Sequence, residues 1–343
     1  MKNYIIPIII PNSQEKTLLT NQEYIITKKD KITVEEVKNI INEHLKKVNK
    51  EEYNVEIAFS GLDGVNQEEF LQIAYEYVKN KQIDSIRITT KANYINRSFL
   101  KLLKKYKIKA IELEIQTINE YVLKNIGAIY NVKDIKKAAK LIKRKRFDLG
   151  LQMMVGLPES SRLDELNTAK EIVKMKPKIA SVTPVLVEKG TSLEKEYQEK
   201  RYKPLTLVQT VEICEEIVEL FNKEKIKIIA IGYGLLDNDI EQLEIAENIV
   251  DGPFHPAFRQ LVESSLWYNA IVNKIKKLNV KVKQVEVTVN PIDTNNVIGY
   301  KQDNINKLKD LYDVELIVTS DEKIKQGDSR INITSQYKDF IEN

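Results

Sequence analysis

The sequence predicts an α/β protein with a parallel sheet, followed by a small α+β domain. Short runs rich in Ile and Val alternate with longer stretches of helical period. Strand, helix and strand at this spacing require parallel pairing with right-handed crossovers, in a barrel or in an open doubly wound sheet. Periodicity alone does not choose between those two architectures. A different, shorter pattern occupies residues 279–343.

The individual elements follow from apolar spacing and helix-capping residues. The capping box of Thr33 with Glu36 introduces a predicted helix over 34–48, and another is predicted over 67–80. The predicted strands of the first domain are 4–10, 55–59, 85–89, 110–115, 148–155, 179–187 and 226–231. The second domain is predicted as strands 285–289, 314–319 and 330–333, with a helix ending at 298, a helix over 303–312 and a closing helix.

Composition excludes several classes of protein. The chain has 343 residues, 42% of them apolar and 30% charged, which is typical of a globular protein. Its longest apolar stretch, 5–10, is far shorter than the roughly 20 residues needed to span a bilayer, so no membrane partner is expected. One Cys cannot form a disulfide within the chain, which predicts a cytoplasmic location, and with only two His it argues against a soft-metal site.

Four longer phrases resemble the radical SAM family. They are QMMVGLPESS (152–161), VEKGTSLEKEY (187–197), YKPL (202–205) and GPFHPAFRQLVES (252–264). More narrowly, they resemble the branch related to the catalytic subunit of Elongator, without its acetyltransferase domain. The resemblance covers about residues 4–270 and implies a partial (β/α)6 barrel of the TIM type over residues 1–278. The last of the four phrases, 252–264, resembles a structural segment that closes the family's domain, so His255 within it is expected to have a structural role.

The resemblance also implies where an iron–sulfur cluster is missing. The family carries CxxxCxxC after the first strand, often followed by Asn-Gln, and the three thiolates hold a [4Fe-4S] cluster that binds S-adenosylmethionine. Anchored on Asn21-Gln22, the ligand positions fall on Ser13, Thr17 and Thr20. Hydroxyls are poor ligands for such clusters, so no metal, no cofactor and no radical catalysis are expected. The single cysteine, Cys214, has the helical spacing of a buried residue.

Other positions of the resemblance mark a remnant cavity. The family's glycine-rich segment corresponds to the shorter FSGLDG (59–64), with Gly61 and Asp63. Polar residues also remain in the strands that line the family's cavity, namely Glu112, Gln116, Gln152 and Thr183. One interpretation is that they hydrogen-bond within the barrel. The alternative is a non-radical enzyme or a nucleotide-binding protein that retains residual binding of S-adenosylmethionine.

Residues 285–318 resemble a KH domain, a small RNA-binding fold, and predict a KH-like domain over 279–343. The match is Val297-Ile298-Gly299 followed by Ile305 and Leu308. The resemblance implies that RNA contacts a loop between two helices, here lacking its second glycine. The candidate RNA-binding residues are Ile298, Gly299, Tyr300, Lys301, Gln302 and Lys307. Residues 274–343 hold 12 basic and 11 acidic groups, so the surface is not polycationic.

A second candidate RNA contact is the basic end of the helix at 140–146. Lys143, Arg144 and Arg146 can meet phosphates, or they can be solvated cations that complement the helix dipole. The leading hypothesis is a catalytically inactive, radical SAM-like pseudoenzyme that binds transfer or ribosomal RNA. A structural partner of an intact radical SAM enzyme, or a homo-oligomer, stays open. Net charge of +4 gives no specific indication of DNA.

Overall fold

The computed structural model describes residues 2–10, 32–62, 68–232, 246–278 and 281–336. The chain divides into two compact units, Met1–Phe254 and His255–Asn343. None of the helices in the described ranges combines the length and the apolar composition that a membrane-spanning segment needs.

The first unit is built on a curled, seven-stranded parallel sheet. The strands are β1 (Lys2–Ile9), β2 (Tyr53–Ser60), β3 (Ser85–Thr90), β4 (Ala110–Gln116), β5 (Asp148–Val155), β6 (Ile179–Pro184) and β8 (Lys227–Ile231). Their order in the sheet is β1-β2-β3-β4-β5-β6-β8. The order in the sheet follows the order in the chain without a reversal, and each step is a helical crossover, so the helices lie on one face and the sheet curls into a half-barrel. A doubly wound sheet reverses its strand order and carries helices on both faces. The observed order therefore confirms the predicted α/β barrel and excludes the doubly wound alternative.

The crossover helices begin at capping residues visible in the sequence. Thr33 and Glu36 form the predicted capping box at the first helix, and Ser161 with Asp164 form another. The helices of this unit are α1 (Val34–Lys47), α2 (Glu68–Lys79), α3 (Arg97–Lys105), α4 (Glu120–Asn125), α5 (Val132–Arg144), α6 (Arg162–Met175), α7 (Ser192–Gln198) and α8 (Leu207–Lys223).

The sheet has one apolar and one polar face. In β3 and β4 the residues Ile86, Ile88, Ile111 and Leu113 are fully buried, and they alternate with polar residues that hydrogen-bond to one another. Helices cover the outer face of a curled parallel sheet, so the polar face is the interior of the half-barrel.

The predicted strand over 179–187 is two strands in the structure. It breaks after Pro184, whose side chain replaces the N–H that a continuing ladder would need. The chain resumes as β7 (Val187–Glu188), which pairs antiparallel with β9 (Ile249–Asp251) outside the main sheet.

The second unit is a three-stranded sheet with helices packed on it. Strand β10 (Val282–Val289) is central, parallel to β11 (Glu315–Ser320) and antiparallel to β12 (Ser329–Gln336). The helices are α9 (Phe258–Lys276), α10 (Thr294–Ile298) and α11 (Asp303–Tyr312). The predicted order strand, helix, helix, strand, strand is therefore present, and the predicted closing helix lies outside the described residues.

Helix α9 belongs to this second unit, whereas the sequence placed the domain boundary at 278. Ile271 and Val272 are buried in the same core as the strand residues Val285 and Val287, and Trp267 packs against that core. The helix buries its apolar face on the small sheet, which is why the compact units divide at Phe254 and His255.

Candidate functional site

Four predicted site residues lie outside the described residues: Ser13, Thr17, Thr20 and Asp63. Gly61 is described and directly follows β2. It is buried, and its φ of 80° is a conformation that side chains other than glycine's rarely adopt.

Glu112 is the centre of a polar network inside the half-barrel. Its side chain is buried, and Oε2 accepts a hydrogen bond from Arg87 Nη1 at 2.5 Å. Oε1 accepts from Ser181 Oγ on β6, and Arg87 Nε also pairs with Glu56 Oε1 at 3.0 Å. Burial alone would lower the pKa of Arg87, but the two carboxylates outweigh burial and hold this pKa above its usual range. Four strands are thus joined across the interior.

The other predicted cavity residues also hydrogen-bond within the barrel. Gln152 Nε2 donates to Thr183 Oγ1 at 3.3 Å, across the pairing of β5 with β6. Gln116 accepts from the buried hydroxyl of Tyr130 at 3.1 Å. The four predicted strand residues Glu112, Gln116, Gln152 and Thr183 therefore each have a protein partner, as buried polar groups require.

The described residues do not contain a metal-ligand cluster. No group of three or more His, Cys, Asp or Glu side chains in that part of the chain is arranged to hold a metal ion. Cys214 is fully buried on α8, as its spacing predicted, and burial raises the pKa of its thiol. A protonated, buried thiol is neither a nucleophile nor a cluster ligand.

Glu165, in the first turn of α6, is a buried carboxyl beside the loop that follows β5. Its side chain is 3% exposed, and Oε1 accepts the backbone N–H of Gly156 at 2.5 Å. Among the described residues, Oε2 has no hydrogen-bond partner. Burial raises the pKa of Glu165 to about 7, although the Gly156 hydrogen bond acts in the opposite direction.

Sequence reasoning missed both Arg87 and Glu165. Arg87 alternates with Ile86 and Ile88, so the period of two places it on the face opposite the helices. Glu165 shares a helix face with Thr168, Ala169 and Ile172, all buried. In each case the periodicity signal was present.

The predicted RNA-binding loop joins α10 to α11, and the side chain of the buried Asn304 connects the start of α11 to α9 and α10. Asn304 Nδ2 donates to the carbonyl oxygens of Ser264 at 2.9 Å and of Val297 at 3.1 Å. Gly299 has φ of 86°, and a Cβ there would lie 2.7 Å from the backbone nitrogen of Asn304. Lys301 and Gln302 have φ of 52° and 64°, the left-handed conformation that a second glycine would adopt freely.

The outer surface of this loop combines rings with a cation. Lys301 is exposed, and its Nζ lies 5.4 Å from the ring centroid of the half-buried Tyr300. The His255 ring meets Tyr300 edge-on at 5.0 Å, and burial together with the charge of Lys301 lowers the pKa of His255. Ile298 is half-buried, and Gln302 is exposed.

Two other predicted RNA contacts, Lys307 and Lys143, already have protein partners. Lys307 Nζ pairs with Asp303 Oδ2 at 2.6 Å on α11. Lys143 Nζ donates to the carbonyl oxygen of Met175 at 2.7 Å, while Arg144 and Arg146 are exposed at the end of α5.

Comparison with known families agrees with this architecture. Residues 21–172 match the model of the Radical SAM superfamily, and residues 182–268 match the model of the Radical_SAM C-terminal domain. Together with the parallel half-barrel, these matches identify a radical SAM-like protein.

Within the radical SAM-like proteins, the chain is similar in sequence to two archaeal proteins and in structure to an archaeal Elp3. The chain is 26% identical over 160 residues to a tRNA uridine(34) acetyltransferase of Methanocaldococcus infernus, covering 44% of this chain and 30% of that protein. It is 24% identical over 143 residues to an uncharacterized protein of Methanocaldococcus jannaschii, covering 40% and 44%. The structure of Elp3 from Methanocaldococcus infernus superposes with a TM-score of 0.59 at 18% identity, covering 80% of this chain and 64% of that one.

These comparisons place the chain beside Elp3 in fold. The chain spans less than half the length of the two curated relatives that it matches, and less than two thirds of the Elp3 chain.

Proposed function

We propose that this chain is a radical SAM-like protein without radical catalysis, and that it binds RNA through the loop at Gly299–Gln302. The observation that carries RNA binding is the geometry of that loop. It presents Lys301 beside the Tyr300 ring, at the N-terminus of α11. A cation, an aromatic ring and a helix N-terminus are the groups that hold phosphate and unpaired bases.

The donor set does not fit an iron–sulfur cluster. The chain has one cysteine, and Cys214 is buried in α8. Three thiolates, or imidazoles in some of their places, are required to hold such a cluster. Interior side chains that bridge β2, β3, β4 and β6 support the interpretation that the half-barrel now serves as a scaffold.

Transfer RNA is the substrate class that we favour, with ribosomal RNA as the alternative. The support is the similarity to a protein described as a tRNA uridine(34) acetyltransferase. We regard the second unit as KH-like because it has the order strand, helix, helix, strand, strand and the loop lies between its two helices. We place this function in the cytoplasm because the chain has one cysteine and therefore lacks the internal disulfides that are typical of proteins in oxidising compartments.

RNA binding is tested by replacing Lys301 and Gln302 with Asp. Both positions are left-handed, where Asp is better tolerated than most residues, and both precede a helix whose dipole favours carboxylates. The fold is therefore expected to survive, while repulsion from phosphate weakens RNA binding at least tenfold, about 1.4 kcal/mol. The matched control is Lys323→Asp with Gln326→Asp, the same residue pair in an exposed turn of the same unit.

The measurement is binding of labelled transfer RNA to the full chain. Equal affinities for the loop variant and the control would exclude this loop as the contact. A parent protein that binds neither transfer RNA nor labelled ribosomal RNA would exclude the proposed RNA binding. The absence of catalysis is tested by anaerobic incubation with iron, sulfide and S-adenosylmethionine in the presence of dithionite, which supplies the electron that reductive cleavage requires. Stoichiometric cluster absorbance with release of 5′-deoxyadenosine would refute it.

A further inference from the structure

Most of the turns that lead from helices back into strands of the half-barrel are strongly basic, the exception being the turn 48–52 before β2, which has one Lys and two Glu. Five of these turns contain 16 Lys or Arg residues and three Asp or Glu residues. We call them the basic rim, and they are 79–84, 104–109, 143–148, 174–178 and 223–227. The whole chain has an excess of only four positive charges, so the remainder of the chain is net acidic.

The topology gathers the basic rim on one edge of the sheet. All strands of the main sheet are parallel, so every turn that enters a strand lies at the amino-terminal edge. Neighbouring entries are directly bonded: Lys227 N–H donates to Lys178 O at 3.1 Å, and Lys178 N–H donates to Leu149 O at 2.9 Å. From β3 to β8 the edge is about 19 Å wide at the usual strand spacing. One strand of a duplex presents roughly six phosphates over that length.

The residue that ends each helix of the rim is basic where glycine is preferred. Lys81, Lys107, Arg146, Lys176 and Lys225 all have φ between 50° and 62°. Four of these turns are Schellman motifs, in which the next N–H returns to a carbonyl five residues earlier, as Gln82 does to Tyr77. A residue other than glycine costs about 1 kcal/mol in this conformation. Five consecutive crossovers nevertheless place a cation there.

The cations of the rim are available to a ligand. The five left-handed residues are exposed, and none of them has an ion pair within the part of the chain that the structure describes. The helix dipole favours cations in a last helical turn, but it does not explain Lys109 or Lys227, which follow the helices. Three other rim lysines are partly neutralised by ion pairs: Lys105 with Glu68 at 2.7 Å, Lys174 with Glu171 at 2.6 Å and Lys178 with Asp148 at 2.5 Å.

We propose that the basic rim binds the phosphate backbone of folded, double-stranded RNA. The aromatic rings near it are covered by the rim's own lysines: Lys104 lies 4.3 Å from the centroid of the buried Phe147, and Lys107 lies 5.7 Å from that of Tyr75. Such a surface contacts phosphates without stacking on bases, which is how proteins recognise duplex RNA. The exposed large apolar side chains of the described residues all lie outside the rim, so it offers nothing to insert into a lipid surface.

This inference rests on the proposed RNA binding, but it uses a different surface from the Gly299–Gln302 loop. The loop offers a ring and a helix N-terminus suited to an unpaired segment, and the rim offers a row of cations suited to a helix. Both types of segment occur in one folded RNA, so the two contacts separate experimentally by the form of the probe.

The test is a fivefold replacement of Lys81, Lys107, Arg146, Lys176 and Lys225 by Asn in the full chain. Asn tolerates the left-handed conformation well, so the turns are expected to keep their fold. Binding of an RNA hairpin of about 16 base pairs is measured over a range of salt concentrations. We expect affinity to fall at least tenfold and the slope of log K against log salt to decrease by up to about 0.9 for each lost phosphate contact.

The matched control removes five exposed lysines outside the rim, so that its net charge equals that of the rim variant. It is the combined variant Lys124→Gln, Lys133→Gln, Lys170→Gln, Lys195→Gln and Lys203→Gln. Equal losses in the two variants would reduce the effect to net charge and overturn the inference. The rim variant could instead bind the hairpin as the parent does, while the Lys301 and Gln302 variant still loses binding of transfer RNA. That result would overturn the inference and leave the proposed function standing.

Three further outcomes decide the ligand. Rim-dependent binding of a DNA duplex with the affinity of the RNA hairpin would overturn the assignment to RNA. Rim-dependent binding to phosphatidylserine vesicles, without hairpin binding, would assign the rim to an anionic membrane instead. A parent protein that binds neither transfer RNA nor the hairpin would refute the inference and the proposed function together.

Discussion

Glu165→Gln is expected to make the stability of the first unit less dependent on pH. The folded protein holds the pKa of Glu165 at about 7, against 4.5 for an ordinary glutamate. Between those values the folded state keeps a proton that the unfolded state has lost. Unfolding then releases a proton, so the free energy of unfolding falls as pH rises from about 4.5 to about 7. Above pH 7 the Glu165 carboxyl is ionised in both the folded and the unfolded state, and the free energy of unfolding falls no further from this group.

The size of the effect follows from the gap between the two pKa values. A difference of about 2.5 units corresponds to about 3 kcal/mol. In the Glu165→Gln variant the amide keeps an oxygen for the Gly156 N–H but cannot ionise. The amide nitrogen adds an offset, because the Oε2 position has no partner among the described residues. That offset is the same at every pH, whereas the ionisation term is not.

The assay is urea unfolding of both proteins at pH 4, 6 and 8. The free energy of the variant minus that of the parent is expected to rise by about 3 kcal/mol between pH 4 and pH 8. Subtraction removes the contribution of carboxyls whose pKa is lowered, such as Asp164 and Glu171, because both proteins contain them. A difference that stays constant with pH would refute the account of Glu165 as a buried carboxyl with a raised pKa.

Three further substitutions test the packing of the half-barrel by denaturant unfolding. Arg87→Met is expected to cost about 3 to 5 kcal/mol because it leaves Glu112 buried without its cation, and Arg87→Met with Glu112→Leu should recover much of that loss. Full stability of the single variant would contradict the network. Gly150→Ala is expected to cost about 1 to 3 kcal/mol, since its Cβ would lie 2.8 Å from Ile179 Cγ1 and 3.0 Å from Glu112 Cβ, and an unchanged midpoint would refute this contact. Cys214→Ala should cost no more than about 1.5 kcal/mol and leave RNA binding intact, and a folded variant that has lost RNA binding would give the thiol a role.

The strands and their parallel pairing could be predicted from the sequence because alternation and crossover spacing are local signals. In β3 the apolar residues fall at every second position, and the structure buries them under the helices. The barrel itself could not be derived from periodicity, since an open sheet has the same local pattern. The prediction of a barrel came from the resemblance of four sequence phrases to the radical SAM family.

The interior network could be predicted only in part. Glu112 was expected to line the interior, but its pairing with Arg87 depends on strand register, which single residues do not reveal. The affiliation of α9 was not predictable either. Its amphipathic pattern shows that one face is buried but does not say which unit covers that face.

The packing of α9 determines where the chain can be cut for biochemical work. A truncation after residue 278, at the boundary that the sequence suggested, would keep the helix and remove the sheet that covers Ile271 and Val272. The exposed apolar stripe would promote aggregation, and loss of RNA binding in such a protein would say nothing about the loop. An isolated barrel is better expressed as residues 1–254, with the second unit starting at His255.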